Sequence, residues 1–273
     1  MPAACVFSAV GDRWHRLDAI NRLVIFGDST TRLEGCATWV RAAFPFLTTS
    51  FLKACVPLQL AHFLRSVNHK RDLTEAPRVE ASSYAVPGQT VEDDLASQLA
   101  AFFAQHPRKG GPSTAPALDP LRTLYVFWLG TNDCGRTGAE DLEEIVDTIF
   151  DDGLDELYVH AGARNFLVID VPPNDRSPAA LALPHDLSAR YATWNAVLTA
   201  KAPHFASENT HASVFLFSAH AAISSVLDDP LAFGFSADDA GAEGGQIWAD
   251  EMHLTSAVHA VVARRLEEAL RAV

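Results

Sequence analysis

The chain of 273 residues is short of cysteine, of basic charge and of long apolar runs. Its four cysteines, Cys5, Cys36, Cys55 and Cys134, are scattered, with no C-x-x-C pair and no His/Cys grouping at metal-ligand spacing. A zinc site is therefore not expected, and no disulfide pairing can be read from spacing alone. Only 21 Lys and Arg stand against 34 Asp and Glu, a formal net charge of −13. With no basic patch set apart, a phosphate backbone would be repelled, so no nucleic-acid partner is expected. The opening MPAACVFSAVGDRWHRL meets Asp12 and Arg13 before an apolar core of secretory length develops. No stretch approaches the roughly 18 apolar residues of a membrane span. A cytoplasmic protein without a membrane span is expected for the chain as given, with a mature secreted form, its signal removed, as the alternative. No Asn begins an N-x-S/T triplet, and no internal repeat is present.

What is abundant is core-forming material. A hydrophobic content of 48% and a mean hydropathy of +0.05 suffice for one large domain spanning residues 1–273, with 1–21 as an N-terminal extension. Apolar, β-rich runs recur at RLVIFG (22–27), VEASSYAV (79–86), LYVFWLG (124–130), FLVIDV (166–171) and SVFLFSA (213–219). Helix-like segments separate them. In 90–106, Leu95, Leu99, Phe102 and Phe103 form one stripe behind an acidic start; in 141–163, Leu142, Ile145, Val146 and Ile149 do the same. The segment 186–202 carries Leu187, Tyr191, Trp194 and Leu198 at helical spacing, and a closing helix runs from about Ser256 to Arg271. An amphipathic segment is also expected from Arg32, and surface loops at 107–120 and 236–246. Strands alternating with helices of this length predict an α/β fold with a parallel sheet covered on both faces.

In such a fold the carboxyl ends of the strands are where ligands bind. The first apolar run stops at Gly27-Asp28-Ser29, the second leads to Pro87-Gly88-Gln89, and the third to Gly130-Thr131-Asn132-Asp133. Near the C-terminus, Asp250 and His253 stand three residues apart ahead of the last helix. A nucleophilic hydroxyl needs a base to take its proton, a carboxylate to orient that imidazole, and donors for the oxyanion that forms. Singly, Ser29 reads first as a helix cap, Asn132 and Gly88 as turn residues, Asp250 as a solvated acid and His253 as a surface or cap residue.

Taken in order, FGDST with Ser29, PGQT with Gly88, GTND with Asn132 and DEMHLT with Asp250 and His253 resemble the first, second, third and fifth blocks of the SGNH/GDSL hydrolases. The resemblance extends to 162–178, 194–198, 227–235 and 250–263, which are similar to plant GDSL esterases and to fungal acetylesterases of carbohydrate esterase family 16. Two positions depart from that branch. Leu254 stands where Pro usually follows the histidine, and Pro87-Gly88-Gln89 where plant members often have Gly-Gly-Ala.

The resemblance implies a flavodoxin-like three-layer αβα sandwich with about five parallel strands. It implies a serine esterase in which Ser29 is the nucleophile, His253 the base and Asp250 its orienting acid. The N–H groups of Ser29 and Gly88 and the Asn132 amide would form the oxyanion hole. Neither cofactor nor metal is implied. Acetyl or other short acyl esters are the expected substrates, carried by a small molecule or an oligosaccharide. Relatives that are lipases, lysophospholipases or thioesterases supply the alternative, and a non-catalytic carbohydrate-binding module of the same fold a further one.

Overall fold

The computed structural model describes residues 5–29, 63, 66–70, 79–108 and 118–273. The segment expected to be amphipathic from Arg32, most of the 107–120 loop, and Cys36 and Cys55 lie outside the described residues; Cys5 and Cys134 are free thiols.

Among the described residues six strands form one sheet: β1 (Cys5–Ala9), β2 (Arg22–Gly27), β3 (Glu80–Ser83), β4 (Thr123–Trp128), β5 (Asn165–Ile169) and β6 (Ser213–Phe217). Their order is β1-β6-β5-β4-β2-β3. The pairs β2–β3, β2–β4, β4–β5 and β5–β6 are parallel, as the alternation of strands and helices requires. β1, within the stretch expected to be an extension, instead joins the sheet antiparallel to β6. Its exposure alternates along the strand. Phe7 and Ala9 turn toward the core while Val6 stays exposed, the pattern of an edge strand with one wet face.

The four inner strands are buried on both faces, and the period-2 alternation divides their side chains cleanly. Val24, Phe26, Tyr125, Phe127, Phe166, Val168, Val214 and Leu216 face one layer. That layer holds α1 (Val91–Gln105), α2 (Thr131–Arg136), α3 (Leu142–Thr148) and, after the short α4 (Pro178–Leu181), α5 (Ser188–Glu208). Leu23, Ile25, Leu124, Val126, Trp128, Leu167, Ile169, Phe215 and Phe217 face α6 (Ala219–Asp228) and α7 (Ser256–Arg271) on the other side. The result is the three-layer α/β sandwich with a mostly parallel sheet that the sequence implies.

Local features of the helices differ from expectation. Helix α3 widens into π-type turns through Ala161 instead of continuing as one regular helix, and ends at Gly162 with φ +75°. Along that stretch a Cβ on Gly153 would come within 2.9 Å of the Phe127 ring, so the glycine lets the helical backbone lie against β4. Helix α5 runs on through Pro203 to Glu208, because burial of Ala202, Phe205 and Ala206 outweighs the bond that proline removes.

Candidate active site

Because β2 to β6 are parallel, the segments following them emerge at one edge of the sheet. Ser29 lies in the turn two residues beyond β2, half-buried, next to the fully buried Asp28. Gly88 follows β3 in a turn at φ +80°, where a Cβ would meet nothing within 4 Å among the described residues. The left-handed backbone there suits glycine. Asn132 sits in the first turn of α2, directly after β4.

The structure brings these three segments together. Asn132 Nδ2 donates to the Gln89 carbonyl at 2.9 Å and to Asp28 Oδ2 at 3.3 Å. Both amide hydrogens are thus engaged, one with the turn of Gly88 and one with the turn of Ser29. Arg136, at the far end of α2, donates to the Gly88 carbonyl at 3.2 Å.

Asp250 and His253 form the second half of the site. The imidazole Nδ1 lies 2.9 Å from Asp250 Oδ2 and 3.1 Å from Oδ1. Asp250 Oδ1 also accepts the main-chain N–H groups of Met252 at 2.8 Å and His253 at 2.7 Å. The i, i+3 spacing therefore makes a closed turn in which one carboxylate holds both backbone and ring. Burial pushes the Asp250 carboxyl up, but the two N–H groups and the imidazole outweigh it, and its pKa lies below the usual carboxylate value. Nδ1 is thereby committed to the carboxylate, leaving Nε2 as the nitrogen for chemistry.

This turn is pinned to the same sheet edge. Asn174, after β5, donates from Nδ2 to the Met252 carbonyl at 3.4 Å, and the Ala179 N–H donates to the Glu251 carbonyl at 2.9 Å. A short bridge between Trp248 and Leu254 closes the loop's base, with the Ala249 N–H on the His253 carbonyl at 2.7 Å. Leu254, in place of the proline usual in the resembling branch, takes part in that bridge and is buried. Among the described residues no hydrogen bond joins Ser29 to His253 in this state.

Beside Asn132 and Met252, among α2, α4 and α5, opens a cavity of about 350 Å³. Asn132 and Met252 border it; Ala180, Leu183, Leu187 and Tyr191 give it an apolar wall, and Arg136 and Ser177 add polar groups. Among the described residues no three His, Cys, Asp or Glu side chains are grouped so as to hold a metal.

Sequence reasoning passed over three residues here. Asp133 is buried, and its carboxylate accepts the N–H of Val91 at 3.0 Å and of Glu92 at 3.3 Å. Burial pushes its pKa up to about 6 against the pull of those N–H groups. Gln98 stands in the α1 stripe as a polar residue at a core position, the one signal by which it could have been found. Asp170, just past β5, accepts from Ser218 Oγ at 2.5 Å and from the His220 N–H at 2.8 Å, and burial pushes it up to about 7.

Comparison with known proteins bears on the family and the fold. The model of the GDSL-like lipase/acylhydrolase family matches residues 23–266. An acetylesterase from Thermothelomyces thermophilus is 27% identical over 197 residues, which make up 67% of this chain and 63% of that relative. The match thus spans less than two thirds of the relative's length. Among solved structures, an α/β hydrolase from the metagenome of Lake Arreo, Spain, has a TM-score of 0.54 at 16% identity, covering 92% of this chain and 94% of its own. A catalytic mutant of an acetylxylan esterase from Geobacillus stearothermophilus has a TM-score of 0.54 at 17% identity, again covering 92% and 94%. At these identities the two structures bear on the fold. No helix among the described residues is long and apolar enough to cross a membrane.

Proposed function

The chain belongs to the GDSL-like lipase/acylhydrolase family, and from that membership we propose that it is a serine esterase working through an acyl-enzyme at the edge described above. The observation that carries the proposal is the Asp250–His253 pair at 2.9 Å, on a loop tied to the sheet edge from which Ser29 and Asn132 also emerge.

In this mechanism His253 Nε2 takes the Ser29 hydroxyl proton as Oγ attacks the ester carbonyl. Asp250 stabilises the imidazolium that results. The carbonyl oxygen becomes an oxyanion, received by the N–H groups of Ser29 and Gly88 and by Asn132 Nδ2. For Asn132 this needs one exchange: the hydrogen now shared with Asp28 at 3.3 Å, the longer of its two bonds, passes to the oxyanion, while the 2.9 Å bond to Gln89 keeps the amide oriented. The intermediate collapses, His253 returns its proton to the departing alcohol, and water activated by the same imidazole releases the acid.

Acetyl and other short acyl esters are the proposed substrates, acetyl being supported by the acetylesterase relative and a sugar carrier by the sequence resemblance to carbohydrate esterase family 16. The apolar cavity beside Asn132 favours a second reading. At about 350 Å³ it falls within the range of small-molecule pockets and has room for an organic group well beyond a methyl, as in a lipase or thioesterase. Nitrophenyl esters from acetate upward, followed by acetylated xylo-oligosaccharides, separate the two. Activity that peaks at acetate supports the first reading, and activity that climbs with chain length the second. Stoichiometric labelling of Ser29 by an organophosphonate tests the mechanism itself, since a carbohydrate-binding module has no activated serine to trap. Labelling that survives Ser29→Ala would refute it.

A further inference from the structure

The pairing of β2 with β3 runs from Arg22–Glu80 to Ile25–Ser83 and stops there. Among the described residues, Gly27, the last residue of β2, therefore has no strand residue in register on its β3 side, where the main chain supplies one long bond, from the Val86 N–H to the Gly27 carbonyl at 3.3 Å. Gln98 completes that place. Its Oε1 accepts the Gly27 N–H at 2.9 Å and its Nε2 donates to the Gly27 carbonyl at 2.8 Å, so one side-chain amide bonds both main-chain groups as a neighbouring strand would. The same Nε2 donates to Gln89 Oε1 at 2.6 Å, and the Gln89 carbonyl accepts from Asn132 Nδ2. One chain of hydrogen bonds thus runs from the residue two before Ser29, through Gln98, to the residue after Gly88 and on to Asn132.

We propose that Gln98 is a positioning residue of the reaction, locking the turn that carries Ser29 to the turn that carries Gly88. The inference rests on the esterase reading above and adds to it the device that sets nucleophile and oxyanion donors in register. Packing alone does not account for the residue. Gln98 is 2% exposed and lies between Leu95 and Phe102 on the apolar stripe of α1, where a leucine or methionine would fill the space without polar atoms to satisfy. Its amide has both donor hydrogens and its acceptor oxygen used, all on groups adjoining the proposed reacting residues.

The test uses Gln98→Met, which keeps the volume and removes all three bonds, and Gln98→Glu, which keeps the acceptor for the Gly27 N–H and loses both donors. Gln89→Leu, at a half-buried turn position, cuts only the link between the two turns. Nitrophenyl acetate kinetics, melting temperature and the rate of Ser29 phosphonylation are read together. The expected result is a kcat lowered at least tenfold in both Gln98 variants, with KM within about twofold and phosphonylation slowed in step with kcat, since small misplacements of reacting groups cost up to about 10²-fold. Gln89→Leu should lose severalfold in kcat. A folded Gln98 variant with unchanged kcat, or a loss that only tracks the unfolded fraction, overturns the proposal. Should Gln98→Met fail to fold, the Gln89→Leu result decides, and an unchanged kcat there refutes the coupling. If wild-type protein takes up no phosphonate, it is the esterase reading that fails, and the two failures are separable.

Discussion

Asp133 Oδ1 accepts the main-chain N–H of Val91 at 3.0 Å across 42 residues of sequence, joining the first turn of α2 to the start of α1. The bond matters because α1 begins two residues after Gln89, whose carbonyl holds Asn132. A second contact, to the Glu92 N–H, doubles the clamp. Thr90 caps the same helix conventionally, accepting the Asp93 N–H at 3.1 Å, so Asp133 serves the donors that the cap leaves over.

Asp133→Ala should consequently destabilise the protein by about 1–3 kcal/mol, the cost of leaving buried N–H groups without an acceptor. Asp133→Asn retains one carbonyl oxygen and should cost less. Denaturant midpoints of the three proteins check the ranking. Equal stability of wild type and Asp133→Ala would mean that water satisfies the α1 donors and that the clamp is idle.

Gly130 is the tightest point behind Asn132. It has φ +120°, and a Cβ there would lie 2.2 Å from Trp194 Cε2 and 2.3 Å from Cζ2, inside the indole ring. Gly130→Ala therefore meets both a backbone penalty and an overpacked core, together about 2–5 kcal/mol. Trp194→Leu in the same chain clears the ring away. The double variant should be less destabilised than the two single losses added, a coupling that a denaturant-based double-mutant cycle measures. Strict additivity would show that the strain lies in the backbone angle alone.

The parallel core was legible in the sequence because strands buried on both faces read as continuous apolar runs, and the turns after β2, β3 and β4 because glycine and Asn/Asp mark their ends. β1 was not legible, since an edge strand of five residues with one wet face carries too little apolar signal beside the runs of the inner strands. The candidate reacting residues stood out together, as an ordered set of blocks at the strand ends and before the last helix, and not by residue type alone. The residues that hold them did not: Gln98 on Gly27, and Asn195, whose Oδ1 accepts the Val171 N–H at 3.0 Å and whose Nδ2 donates to the Val171 carbonyl at 3.3 Å, act on main-chain groups. A side chain that completes a strand's bonding has no partner residue type to betray it, so only the folded chain shows the pairing.

Asp170 offers a test of burial through pH. Its carboxyl is pushed from the ordinary 3.8 up to about 7, with burial the main cause and the bonds from His220 and Ser218 opposing it. A folded pKa above the unfolded one means that the folded protein holds the proton more tightly. The stability linked to this group is thus fully present below about pH 4 and is lost as pH rises toward 7, by up to about 1.4 kcal/mol for each pH unit crossed. Asp170→Asn, which cannot ionise, should flatten that part of the stability-against-pH curve and gain on the wild type toward neutrality. Parallel curves between pH 4 and 7 would show that Asp170 is ionised throughout.

The pair Asp250 and His253 tests the proposed chemistry most directly. Asp250→Asn is the informative variant, because its Oδ1 can still accept the Met252 and His253 N–H groups that close the turn, whereas alanine would open it. What the amide cannot do is accept the Nδ1–H through both oxygens and carry a negative charge beside the imidazolium. Asp250 is held below the usual carboxylate value, so the wild-type carboxylate stays charged through mild acid, and loss of activity there is not assigned to it. Asp250→Asn should lower kcat by roughly 10²–10⁴-fold with the melting temperature nearly unchanged. His253→Ala should lose at least as much, since it removes the base itself. Because the carboxylate acts only through the imidazole, the double variant should be barely worse than His253→Ala alone. Steady-state kinetics of the four proteins on nitrophenyl acetate read the cycle, and a double loss equal to the product of the single ones would mean that Asp250 serves some group other than His253.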